Sequence, residues 1–137
     1  FSHHIGTYIK RPIKPTVKFL LANVDLKDDI VAFTNESASS PVNFYSQRRL
    51  YPLYYFFDPK YPDSSWQRPR QENRYTIPLY KVSHLKFKKC WVIASDWAHS
   101  GELDKNSQVV RAWLDKNLKL ELAREIDGLW IFRYAKD

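Results

Sequence analysis

Apolar residues recur along this chain at two spacings, and the alternation between them predicts a sequence of helices and strands. Within Thr16 to Asp25, Val17, Leu20, Leu21 and Val24 fall at i, i+3, i+4 and i+7, one face of an amphipathic helix. Pro15 suits its first turn, where a missing N–H loses no bond. The polar segment Asp25 to Asp29 ends it, and Asp29 to Thr34, apolar and β-branched, reads as a buried strand. Asn35 to Ser40 reads as a small polar loop. Ser40-Pro41 then supplies an N-cap with proline at the first helical position, opening a short helix over Pro41 to Arg48. Leu53 to Phe57 reads as a second strand, bounded by Pro52 and Pro59.

From Asp58 to Arg74 periodicity disappears and three prolines intervene, so these 17 residues read as a loop, longer than ordinary connections and of the kind that often carries function. Tyr75 to Val82 alternates as a short strand would, and Lys89 to Ser95 is the strongest strand signal. After a loop over Asp96 to Asn106, the residues Val109, Val110, Trp113, Leu114 and Leu118 mark a second helix, with Asn106 or Ser107 as its cap. Leu118, Leu120 and Leu122 alternate toward Ile126, and Asp127-Gly128 turns the chain into Leu129 to Tyr134, a hairpin signal. The expectation is a three-layer, Rossmann-like α/β fold: a mainly parallel sheet, helices on both faces, and an antiparallel C-terminal hairpin. Residues 14–137 would form this single domain and residues 1–13 a linker from a preceding region.

Composition agrees with one folded unit. A chain of 137 residues buries roughly two thirds of its unfolded surface, and 44% hydrophobic with 16% aromatic residues excludes a disordered segment. No window approaches the ~18 to 20 apolar residues needed to span a bilayer. The chain starts at Phe1 and has no methionine, which is the expectation for a piece of a longer protein whose targeting signals lie upstream. The single cysteine, Cys90, sits in the apolar run 89–95 and reads as a small core residue.

Charge changes the picture more. Ser46 to Cys90 carries ten Lys/Arg against three Asp/Glu, while the segments before and after nearly cancel, so the net charge of +7 belongs to the middle third. A positive field there attracts an anionic partner.

Three glycines, Gly6, Gly101 and Gly128, leave no GxGxxG and no P-loop, so no nucleotide cofactor is expected. His3-His4 are adjacent and do not share a helix face, and CxxC and HExxH patterns are absent, so no metal is assigned. Ser95, Asp96 and His99 follow the strongest strand, where open α/β sheets place ligands, and would serve a small hydrolase. No GxSxG elbow accompanies them, and the plainer reading has Ser95 and Asp96 capping loop amides and His99 solvated. Ser37 and Ser39 lie in the loop after the first strand, at a helix N-terminus whose free amides favour an anion, and Tyr45, Arg48 and Arg49 follow. A nucleic-acid module would use Tyr61, Trp66 and Tyr75 to stack bases and Arg68, Arg70 and Arg74 to hold phosphates. The aromatic-and-glycine fingerprint of RNA-binding sheets is missing.

The stretches Pro15 to Val24, Asp28 to Thr34, Ser40 to Tyr45, Lys89 to Ser95, Val110 to Asp115 and Leu129 to Tyr134 together form a recognisable series. A helix precedes a "D-x-hydrophobic" strand; a small-residue loop leads to an aromatic helix; a "W-hydrophobic" strand, a "WL" helix and a closing aromatic strand with an Arg-Tyr pair follow. Over about residues 14 to 135 the chain resembles the C-terminal soluble domain of bacterial multi-spanning membrane glycosyltransferases, the protein mannosyltransferase-like family 39. The resemblance implies a domain on the extracytoplasmic face, packed on the transmembrane part of the same polypeptide, where a lipid-phosphate-linked sugar is used. The catalytic acid of that family lies in an early loop between membrane helices, so no catalytic residue carries over. The positive segment would then meet anionic lipid or the carrier phosphate through Arg48, Arg49, Arg68, Arg70 and Arg74. A soluble hydrolase and a nucleic-acid-binding module are the alternatives.

Overall fold

One mixed sheet of six strands organises the chain: β1 (Ile30–Phe33), β2 (Leu53–Phe57), β3 (Thr76–Pro78), β4 (Lys89–Ser95), β5 (Lys119–Ile126) and β6 (Leu129–Ala135), in the order β3-β2-β1-β4-β6-β5. The structure is a computed structural model and describes residues 13–60, 75–95 and 103–136, with the side chains at 36–40 and 95 outside that description. The helices are α1 (Lys14–Asn23), α2 (Glu36–Tyr45) and α3 (Lys105–Asn117), with a 3-10 helix at Leu79–His84. β1 pairs in parallel with β2 and with β4, and β2 with β3. β6 then runs antiparallel to both β4 and β5. The α/β fold with its C-terminal hairpin is therefore as expected.

Alternation along the strands divides the core in two. Val31 and Phe33 of β1 and Trp91 and Ile93 of β4 pack with Val17 and Leu20 of α1 and Val42 of α2. Ala32, Phe56, Cys90 and Val92 point the other way and pack with Val110 and Leu114 of α3 and Leu79 and Val82 of the 3-10 helix. The strands of the sheet's centre are buried on both faces, which is why they read as unbroken apolar runs. Each large side chain so buried contributes on the order of 1.5–3 kcal/mol. Cys90 is fully buried, and that burial, reinforced by the Asp29 charge, pushes its thiol pKa well above the ordinary value, so it acts as a core residue.

Asp29 ties the helix-to-strand connection to the sheet. Its carboxylate accepts the Trp91 Nε1–H at 3.0 Å, the Lys89 N–H at 3.2 Å and the Asp25 N–H at 2.9 Å. A "D-x-hydrophobic" strand start therefore has a structural cause: the acid joins β1, β4 and the turn after α1.

Several local expectations are corrected. The helix expected from Pro41 begins at Glu36, so 36–40 is helical backbone and Pro41 lies inside the helix. Asn35, a type favoured just before a helix, precedes it in place of Ser40. Pro41 forfeits one backbone bond there, and complete burial of Val42 against the sheet offsets that loss. The helix ends at Tyr45, leaving Arg48 in the turn beyond it. Tyr75 to Val82 contains a strand of only three residues before the 3-10 helix, since Pro78 cannot donate to a ladder and survives at the sheet edge. The N-cap of α3 is Asp104, while Asn106 and Ser107 are buried. The leucine alternation in β5 does not mark one face. A bulge between Leu120 and Leu122 flips the register, so Leu122 packs with the α1 side while Leu120 is 37% exposed. The long loop expected over 58–74 lies, beyond residue 60, outside the described residues.

Candidate functional site

α1 lays its buried stripe, Val17, Leu20 and Val24, on the sheet. Lys14, Lys18 and Ala22, each one step of four along the helix, form the flank beside that stripe. This flank faces the end of α2, and an open groove of about 490 Å³ lies between them. Val17, Leu21 and Ala22 give it an apolar floor, and Lys14, Lys18, Tyr45 and Arg49 supply its polar rim. The Lys14 ammonium lies 5.6 Å from the Tyr45 ring centre, a cation–π contact that holds both at the rim.

The rim owes its shape to how α2 ends. The Gln47 N–H donates to Phe44 O and the Arg48 N–H to Asn43 O, a paired 5→2 and 6→1 closure that requires a left-handed residue after the helix. That residue is Gln47 (φ 54°), and Arg48 also takes positive φ at 61°. Glycine is the usual occupant, and a side chain in this region costs roughly 1–2 kcal/mol. Two such residues in succession turn the chain sharply, present the Arg48 guanidinium over the Tyr51 ring at 4.7 Å, and leave Arg49 beside the groove. Phe44, at 74% exposure, and Tyr45, at 44%, meet edge to face with ring centres 5.1 Å apart. Tyr51 is 48% exposed.

Residues 13–24 and 41–51 contain four cations, Lys14, Lys18, Arg48 and Arg49, and no Asp or Glu. The groove therefore offers apolar contact below and, among its described lining residues, cations without an acid at its lip. Its described lining holds no Ser, Cys, His, Asp or Glu.

A second polar cluster sits where β1 and β2 end. Asn106 Nδ2 donates to Thr34 O at 2.9 Å and Phe56 O at 3.0 Å, and lies 3.4 Å from the Tyr55 hydroxyl. Ser107 Oγ donates to Asp104 Oδ1, which leaves Thr34 Oγ1 as the donor in its 2.5 Å contact with Ser107 Oγ. This clasp satisfies strand-end carbonyls from the first turn of α3. It is buried and structural.

Of the residues singled out from sequence, the structure brings Tyr45 and Arg49 to one groove and sets Arg48 at its edge. Ser37 and Ser39 fall in the first turns of α2, their side chains outside the description, while Trp66, Arg68, Arg70, Arg74, Asp96 and His99 lie outside the described residues. Lys14 and Lys18 were not singled out, because their segment is nearly neutral as a whole. Their signal was local: lysines four apart, flanking the apolar stripe. Among the described residues no three His, Cys, Asp or Glu are grouped to hold a metal, and no helix is long and apolar enough to cross a membrane. Compared with protein-family models, curated proteins and solved structures, the chain matches none.

Proposed function

We propose that this chain is the extracytoplasmic accessory domain of a membrane glycosyltransferase that uses a lipid-phosphate-linked sugar, and that the groove between α1 and α2 helps to place the carrier phosphate. The observation that carries this reading is the groove itself: an apolar floor of Val17, Leu21 and Ala22 under an acid-free rim of Lys14, Lys18 and Arg49. An isoprenyl phosphate has that same division, with a hydrocarbon chain attached to an anion. A sheet with β1 between β2 and β4, with α2 connecting β1 to β2 on one face and the 3-10 helix between β3 and β4 packed on the other, supports a Rossmann-like assignment. The transmembrane part of the same polypeptide would be its packing partner, and the sugar would be transferred there.

The test is calorimetric titration of the 137-residue chain with a short, water-soluble isoprenyl phosphate, with inorganic phosphate and with the matching isoprenol. Saturable binding of the isoprenyl phosphate, weaker binding of either half, and loss on replacing Lys18 and Arg49 by Gln are the expected results. Equal binding of inorganic phosphate, or affinity indifferent to both substitutions, would sink the carrier role. At gene level, a coding sequence upstream of Phe1 without several apolar segments of about 20 residues would remove the membrane-transferase reading.

A further inference from the structure

The rim projects more than a phosphate pocket requires. Among the described residues Phe44 is the most exposed of the large hydrophobic side chains, at 74%, and it does not line the groove. A contiguous exposed group, and not a lone ring, is what marks an interaction surface, and Phe44 does not stand alone. With Tyr45 and Tyr51 it forms an aromatic edge, flanked by Arg48 and Arg49 and backed by Lys14 and Lys18. Rings able to sit at headgroup level beside uncompensated cations are the composition of an interfacial membrane contact. The turn that builds this edge keeps Gln47 and Arg48 in left-handed backbone, where glycine would be easier, so the chain holds the arginine outward at a conformational cost.

We infer that the edge formed by Phe44, Tyr45, Arg48, Arg49 and Tyr51 docks on an anionic bilayer surface, with the Phe44 ring entering the headgroup boundary and the cations meeting lipid phosphates. The inference rests on the proposed function only in having a membrane nearby. Docking on a bilayer needs no single carrier molecule, and carrier binding needs no Phe44. Charge complementarity chooses the occupant: residues 13–24 and 41–51 carry four cations and no Asp or Glu, and the one acid of α2, Glu36, lies at the opposite end of that helix. A protein partner would need an acidic face matched to one shape, whereas lipid phosphates conform to the cations they meet.

Flotation of the full 137-residue chain with vesicles of phosphatidylcholine alone, and with about one-third phosphatidylglycerol, tests this directly. Binding is expected on the anionic vesicles only, and it should fade in 1 M salt, where the Debye length falls to about 3 Å. Replacing Arg48 and Arg49 by Gln should weaken partitioning roughly 25-fold, about fivefold for each cation removed. Phe44→Ser should weaken it on the order of tenfold while leaving isoprenyl phosphate titration unchanged, since Phe44 is not a groove residue. All three positions are exposed, so the variants should keep the wild-type melting curve. Equal flotation on neutral vesicles, no flotation on anionic ones, or indifference to both variants would overturn the docking surface. So would tighter, equally salt-sensitive binding of a single-stranded oligonucleotide through the same arginines. Vesicle binding without isoprenyl phosphate binding would keep this inference and reject the carrier role, and the reverse result would do the opposite.

Discussion

The clasp at the start of α3 and the rim at the end of α2 are both polar, yet they direct their capacity in opposite ways. Thr34 donates to Ser107, Ser107 to Asp104, and Asn106 to the carbonyls of Thr34 and Phe56, all inside the protein. Arg48 and Lys14 touch aromatic faces at the surface, and residues 13–24 and 41–51, which bound the groove, contain no acid to meet their charge. The lesson is energetic. A buried donor left without a partner costs free energy, so the clasp must close on itself. Exposed cations carry no such requirement, so an acid-free group of them is available for a ligand.

The comparison breaks most visibly at Asn106. Asn106→Leu strips the donor from two buried strand carbonyls and should lower unfolding free energy by about 3 kcal/mol in urea titrations, while vesicle and phosphate binding by the folded fraction stay as in wild type. A drop below about 1 kcal/mol would mean water replaces the amide. Thr34→Val should cost less, about 1 kcal/mol, because Ser107 retains Asp104 as its acceptor.

Arg48→Gln with Arg49→Gln should change stability by no more than about 0.5 kcal/mol, as surface substitutions do, although binding falls sharply. A large loss of stability would place these arginines with the clasp. Gln47→Gly relieves the left-handed backbone and should raise stability by about 0.5 kcal/mol, after the extra entropy of unfolded glycine is subtracted. Vesicle binding should be retained, because Arg48 keeps its place.

The finest contrast is in acid. Glu121 accepts from Lys89 at 2.6 Å and from Arg133 at 3.2 Å, and the Lys89 hydrogen bond leads in holding its carboxyl below the ordinary 4.5. A depressed folded value stabilises the protein above that ordinary value and loses its effect as pH falls through the lowered one. The stability difference between wild type and Glu121→Gln should therefore be constant near neutrality and close toward zero in strong acid. A difference independent of pH would show that Glu121 acts through packing.

Most elements were legible because their burial is periodic. Val17, Leu20 and Val24 on α1, and the apolar run of β4, signal their environment by spacing alone. The start of α2 was not legible, since two cap-like residues, Asn35 and Ser40, both precede plausible helices and only the packing of Val42 on the sheet decides between them. The β5 bulge was hidden for a related reason: leucine alternation specifies a strand, whereas the face each leucine takes depends on pairing with β6. Tyr45, Arg48 and Arg49 could be selected from charge and aromatic content. Lys14 and Lys18 could not, because net charge averages over a segment and a groove is made by two segments.

The order of residues is enough to say which positions are apolar at helical or strand spacing, where the hairpin turns, and that the chain builds an α/β unit around buried strands. Those are properties of neighbours in the chain, set by side-chain chemistry and local backbone preference. Tertiary structure alone decided that α1 lies beside the end of α2, and so that two lysines from a nearly neutral segment share a groove with Tyr45 and Arg49. That adjacency arises because both helices must cover the same face of one sheet, a constraint that acts through space and leaves no periodic trace in either segment.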